Sequence, residues 1–170
     1  MTGIFFFTAS INKKQKVFFS KDRCEIITKS LKYLVDENRI FLYAFVIMPD
    51  HIHLIWEMSD GIQYSGNQRN FMKFTAQQLK FHMLENDQDL LTILKVDKKD
   101  REYQIWERNP LSIELYTSKV IDQKLDYIHN NPLQKGWNLT DDPANFYYSS
   151  AGFYLEGKTN WSFITNIYDV

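Results

Sequence analysis

Apolar positions first gather into a run from Ile4 to Ile11, which reads as a strand. Ser20 can cap a helix in which Cys24, Ile27, Leu31 and Leu34 recur at helical spacing. From Arg39 to Met48 β-branched and aromatic residues dominate and predict a second strand. Pro49-Asp50 then signals a turn, and His51 to Met58 alternates as the other arm of a hairpin. A second helix is predicted over Asn67 to Leu84, with Met72, Ala76, Leu79 and Met83 on one stripe. Residues 85–102 are charged and read as an exposed excursion, and Tyr103 to Glu107 reads as a short fourth strand. The order strand, helix, strand, strand, helix, strand predicts an α+β fold: a ferredoxin-like antiparallel sheet with two helices on one face. An additional C-terminal helix is expected from about Ser118 to Asn130, stopped by Pro132. Beyond Gly136 the chain turns aromatic (Phe146, Tyr147, Tyr148, Phe153, Tyr154) and is expected to pack back on the rest. With no repeat, low-complexity tract or Gly/Ser/Pro linker, residues 1–170 read as one domain with an aromatic tail from about 138 to 170.

Composition narrows the function classes. A 44% apolar and 16% aromatic share with 6 Gly and 4 Pro excludes a disordered or fibrous chain. No apolar run approaches the ~18 residues of a membrane span, so no membrane partner is expected. Ile4-Phe5-Phe6-Phe7 is too short, and lacks the basic leader, for a secretory signal. The single Cys24 rules out a disulfide scaffold or cysteine-rich zinc site and fits a cytoplasmic protein.

A net charge of −1 weighs at first against nucleic acid. Divided along the chain, however, it becomes +4 over residues 1–84 and −5 over residues 85–170. The basic excess lies at Lys13, Lys14, Lys16, Lys21, Arg23, Lys29 and Lys32, with Arg69, Lys73 and Lys80 on the second helix. These are equally a solvated surface or a phosphate-binding face, since a local patch is enough to grip a backbone.

Two motifs carry chemistry. In His51-Ile52-His53 the strand period puts His51, His53, Ile55 and Glu57 on one face and Ile52, Leu54, Trp56 and Met58 on the other. If the helices cover the apolar face, the histidines lie on a side open to ligand. Two parallel imidazoles can bind one divalent metal and leave coordination room for water and phosphate oxygens. Taken alone, the pair also reads as surface histidines at a strand start. Asp50 is a turn residue that can also brace a histidine.

In the late helix, Ile121, Leu125 and Ile128 form a core stripe, with Val120, Lys124, Tyr127 and Asn131 beside it. Tyr127 and Asn131 thus stand one turn apart on the same side. By itself a tyrosine there is more often a packing residue with a satisfied hydroxyl than a nucleophile.

Together the motifs resemble a known family. Tyr43-Ala-Phe-Val-Ile-Met-Pro-Asp-His-Ile-His-Leu-Ile-Trp-Glu57 is similar to the histidine–hydrophobic–histidine (HUH) strand of the single-tyrosine, single-strand DNA transposases. Lys124-Leu-Asp-Tyr-Ile-His-Asn-Asn-Pro-Leu-Gln-Lys-Gly136 resembles that family's nucleophile helix. Phe146-Tyr-Tyr-Ser-Ser-Ala-Gly-Phe-Tyr154 is like the C-terminal stretch of the REP-associated tyrosine transposase-like branch.

The resemblance implies a ferredoxin-like fold and an enzyme that cleaves and rejoins single-stranded DNA, at hairpins, through a 5′-phosphotyrosine link. It places His51 and His53 as metal ligands for Mg²⁺ or Mn²⁺ and Tyr127 as the nucleophile. Asn131 falls where relatives use an amide, glutamine in well-known cases, as a third ligand. Tyrosine titrates at about 10 in free peptides, so activation needs the metal or a positive neighbour, for which Lys124 is the candidate. Lys13, Lys14, Arg69, Lys73, Lys80 and Lys124 are the candidate DNA contacts. Two rival readings stay open: a non-catalytic hairpin-binding module for DNA or RNA, and a metal-dependent phosphodiesterase. A homodimer, with Tyr127 serving its own histidines or a partner's, is open too.

Overall fold

The computed structural model describes residues 3–170. Four strands, β1 (Ile4–Ser10), β2 (Ile40–Met48), β3 (His51–Met58) and β4 (Leu111–Glu114), form one sheet in the order β2-β3-β1-β4, with every neighbouring pair antiparallel. With helices α1 (Lys21–Asp36) and α2 (Tyr64–Asn86) between them, this is the ferredoxin-like arrangement that the element order predicts. Ser20 caps α1 as expected, its hydroxyl accepting from the Arg23 amide.

Alternation along the strands sorts the interior into two layers. Phe7, Leu54 and Trp56 join Ile27, Leu31, Phe71 and Leu79 from α1 and α2 in the larger core. Phe6, Val46 and Ile55 face the other way. A bulge between Leu42 and Ala44 shifts the parity of β2, so Tyr43 and Ala44 both join this second layer while Phe45 returns to the first.

The second layer is not open over its whole length, as the strand pattern alone would have it. Helix α4 (Ser118–Asn130) covers it, burying Leu125 and Ile128 against the sheet side that carries the histidines. Each such side chain contributes roughly 1.5–3 kcal/mol on burial. The ends of α4 are set locally. The Thr117 hydroxyl accepts from the Val120 amide at the start, and Pro132 follows the C-cap Asn131.

Three further features depart from the sequence reading. The fourth strand is Leu111–Glu114, not residues 103–107. Ile105 and Trp106 are used as buried plugs, the Trp106 indole donating to Thr75 Oγ1 at 3.1 Å, and the segment touches β1 through one bridge, Ile11 to Trp106. Residues 85–102 contain a short helix, α3 (Gln88–Ile93), that buries Leu91 and, just beyond it, Leu94. On α2 the inward stripe is Asn67, Phe71, Thr75, Leu79 and Met83, while Met72 and Ala76 sit half-buried beside it.

The aromatic tail packs back as predicted, and it protects an edge. Ile47 N donates to Tyr148 O and Ser150 N to Phe45 O, both at 2.9 Å, while Thr165 N donates to Leu42 O on the same outer edge of β2. These bonds occupy backbone groups that an open edge strand would leave free. A six-residue helix, α5 (Ala151–Glu156), continues from there.

Ser150 ties the tail to α4. Its hydroxyl accepts from the Phe45 amide at 3.1 Å, donates to Phe45 O at 3.3 Å and meets His129 Nε2 at 2.8 Å. A serine hydroxyl has one proton and two lone pairs, so its bonding capacity is filled. We expect Ser150→Ala to cost about 1–3 kcal/mol by stranding buried partners, read from the midpoint of urea denaturation; an unchanged midpoint would contradict this latch.

Candidate active site on the histidine strand

Three elements converge at the site. The hairpin turn delivers Asp50, β3 presents His51 and His53, and α4 with its C-cap lowers Tyr127 and Asn131 onto them. The imidazoles of His51 and His53 lie 4.7 Å apart, centre to centre, with their planes at 71°. Tyr127 packs edge-on to His53, ring centres 5.2 Å apart, and also approaches Phe6 at 6.0 Å. Its ring is 41% exposed, so it faces both the histidine and solvent. All these groups belong to one chain, which brings the tyrosine to its own histidines.

Hydrogen bonds to the δ nitrogens set the chemistry of the pair. Asp50 Oδ1 lies 2.5 Å from His51 Nδ1, and Thr8 Oγ1 lies 2.6 Å from His53 Nδ1. When Nδ1–H donates to those oxygens, each neutral ring keeps its lone pair on Nε2. His53 Nε2 is buried and has no hydrogen-bond partner. On His51, Nε2 faces Asn131 Oδ1 at 3.2 Å. In that tautomer both atoms are acceptors, which cannot bond each other but can share a cation. Two donors at right angles around an ion at ~2.1 Å would stand roughly 3 Å apart, close to this spacing.

Burial supports the same state. Desolvation, with smaller contributions from His51 and Lys124, lowers His53 to a pKa of about 3. The ring is therefore neutral, as a ligand must be. Among the described residues no group of three or more His, Cys, Asp and Glu could hold a metal ion, so a third protein donor here would be the amide of Asn131, which is fully buried.

Lys124 also reaches the site. Its ammonium lies 4.6 Å from the centre of the Phe6 ring and 5.7 Å from that of Tyr127. The other basic candidates lie elsewhere. Lys13 donates to Ile93 O at 2.8 Å, and Lys14 stands 3.7 Å from Glu107. Arg69, Lys73 and Lys80 project from α2 into a groove on the other side of the sheet.

Two participants are absent from the sequence reading. Thr8 becomes visible only through the register, which sets it directly opposite His53 in the β1–β3 pair. Trp137 lies 6.1 Å from His51 and under the ammonium of Lys16 at 6.0 Å, placing an aromatic face at the rim. Its position after Gly136, at the close of the nucleophile-helix motif, was the available signal.

A curated protein of Haemophilus influenzae, named "Putative REP-associated tyrosine transposase", is 26% identical over 137 residues, covering 79% of this chain and 73% of its own. The chain resembles the REP-associated tyrosine transposases. The solved structure of a REP-associated tyrosine transposase bound to a REP hairpin shares the fold, with a TM-score of 0.65 at 18% identity over 91% of this chain and 81% of that one. A crystal structure described as "a putative transposase" from Deinococcus radiodurans shares it more distantly, with a TM-score of 0.50 at 14% identity over 76% and 91% of the two chains. No family profile matches the chain. Among the described residues no helix is long and apolar enough to cross a membrane.

His129 is likewise lowered by burial, to about 4. Unfolded histidines take up a proton near pH 6.5, whereas His53 and His129 resist it when folded. Their stabilising contribution is complete above about pH 7 and declines as pH falls, by on the order of 1 kcal/mol per pH unit for each. We expect their ring resonances in NMR spectra to stay fixed between about pH 7 and about pH 5; titration near 6.5 would contradict this burial.

Proposed function

We propose that this chain is a metal-dependent, transposase-like enzyme that cleaves and rejoins single-stranded DNA at hairpins through a covalent tyrosine intermediate. The contact of the Tyr127 ring with His53 at 5.2 Å supports the reading, because a phenol there stands beside two imidazoles of the same chain. Kinship with a protein named as a REP-associated tyrosine transposase supports it. So does the hairpin on which the structural neighbour was solved.

The Tyr127 hydroxyl attacks a backbone phosphate. Its oxygen forms a bond to phosphorus, the bond from phosphorus to the 3′ oxygen breaks, and the leaving oxygen takes up a proton as a free 3′-OH. The other DNA end stays on the enzyme as a 5′-phosphotyrosine. Attack by a 3′-OH on that link reverses the step and restores the tyrosine, so the phosphodiester is exchanged rather than hydrolysed.

His51 Nε2, His53 Nε2 and Asn131 Oδ1 are the donors that would hold Mg²⁺ or Mn²⁺, and the unpartnered Nε2 of His53 fits that role. A divalent ion there supplies Lewis-acid polarisation of a non-bridging phosphate oxygen. Asp50, an acceptor-only carboxylate, keeps His51 in the tautomer that frees its Nε2, and the Thr8 hydroxyl does the same for His53 when it accepts from Nδ1. Lys124, on the turn before Tyr127, provides positive charge where the phenolate develops. Trp137 offers a stacking face for a base entering beside His51.

Tyr127→Phe should abolish a covalent protein–DNA species formed with hairpin DNA and Mn²⁺ on a denaturing gel, while leaving hairpin binding within about threefold. Replacing His51 and His53 by Ala should remove the metal-dependent formation of that species. An undiminished adduct in Tyr127→Phe would overturn the assignment. Hairpin binding without any adduct in the unaltered protein would favour a non-catalytic binding module, and hydrolysed DNA without an adduct would favour a phosphodiesterase.

A further inference from the structure

On the side of the sheet away from the histidines, α2 and residues 101–110 enclose a groove of about 710 Å³. Arg69, Lys73 and Lys80 line the helical wall, and Arg101 and Arg108 stand along the other. The three helix cations lie four and seven residues apart, on one side of α2, and span ~16 Å along its axis. Glu107 is the one carboxylate among the lining residues, and Lys14 lies 3.7 Å from it. Of the five lining cations, only Arg101 has an ion-pair partner within 4 Å among the described residues, Asp100. The concentration is not a sampling of the whole surface, because the chain's net charge is −1. Five converging cations repel one another, and an anionic occupant relieves that repulsion. Tyr103 and Trp106 also line the groove and contribute aromatic surface.

The groove wall that ends at Pro110 continues into the edge strand of the sheet. Asn109 and Pro110 lead directly into β4, where the Ser112 hydroxyl meets that of Tyr64, a residue of the groove wall, at 2.6 Å. Leu111 and Ile113 alternate to the opposite side and are exposed. Leu111 pairs with Thr8, and Thr8 pairs with His53. Adjacent strands are ~4.8 Å apart, so roughly 10 Å separates Leu111 from His53 across the sheet. β4 is thus a short edge over which a flexible chain can pass from groove to site.

We propose that this groove holds the backbone of the single-stranded DNA flanking the hairpin, which then crosses β4 over Leu111 and Ile113 to reach Tyr127. The inference rests on the function proposed above and adds the path of the substrate. A cavity of this volume is of the size that encloses one small ligand, so it admits a few nucleotides of one strand rather than a double helix. Spaced cations with aromatic lining form the kind of surface that tracks a single strand without reading its sequence.

The test uses the full chain with Arg69→Ala, Lys73→Ala and Arg108→Ala combined, three exposed positions, with an unchanged thermal melting curve as the folding control. Two labelled DNA probes, a hairpin bearing a single-stranded extension and the same hairpin trimmed blunt, are titrated over a range of salt. The variant should bind the extended probe roughly tenfold more weakly, with the slope of log affinity against log salt shallower by about 2, and bind the blunt probe as before. Equal affinity and slope for the extended probe would overturn the groove assignment. Equal weakening on both probes would place the stem, not the flank, in the groove and would overturn it as well. If the unaltered protein bound neither probe, the proposed function itself would fall, an outcome separable from failure of the groove alone.

Discussion

Leu125 and Ile128 draw α4 into one apolar cluster with Phe6, Ala44 and Ile55, on the sheet face that carries the histidines. The geometry of the site follows from that packing. Tyr127 and Asn131 lie beside the buried stripe rather than on it, so anchoring the helix sets the tyrosine over His53 and the amide over His51. The Ser150–His129 contact and the aromatic tail hold the same helix from behind. The C-terminal stretch therefore positions α4 although it supplies none of the proposed reacting groups.

The two strand faces perform different tasks. Trp56, Leu54 and Ile52 commit one face of β3 to the main core, which fixes its register. With that register fixed, the polar groups of the other face have defined partners: Thr8 for His53, and Asp50, at the turn, for His51. Burial then keeps His53 neutral, and its Nε2 stays unpartnered within the protein. An unsatisfied buried nitrogen costs stability, and such costs are tolerated where a ligand is to be received.

Periodicity revealed most of the architecture because the strongly patterned elements also bury their patterned faces. The hairpin of β2 and β3, the Ser20 cap and the span Ser118–Asn130 are of this kind. It failed where apolar residues serve as plugs. Tyr103 to Glu107 alternates like a strand, yet Trp106 is turned inward to Thr75 and the true edge strand is the half-polar Leu111–Glu114. At the site, His51, His53, Tyr127 and Asn131 were legible from local motifs, whereas Thr8 was not. Its role depends on a pairing forty-five residues away that no local spacing encodes. The charge pattern was half legible: Arg69, Lys73 and Lys80 stood out, but Arg101 and Arg108 join them only through the return of the chain across α2.

Tyr127 is the proposed nucleophile in a covalent exchange next to the histidine pair. The most direct measurement of that role is mass spectrometry of peptides from the protein after reaction with single-stranded hairpin DNA and Mn²⁺. The role predicts a nucleotide attached through phosphate to Tyr127 and to none of the other nine tyrosines. Attachment at a different residue, or complete DNA cleavage with Tyr127 unmodified throughout the time course, would contradict it.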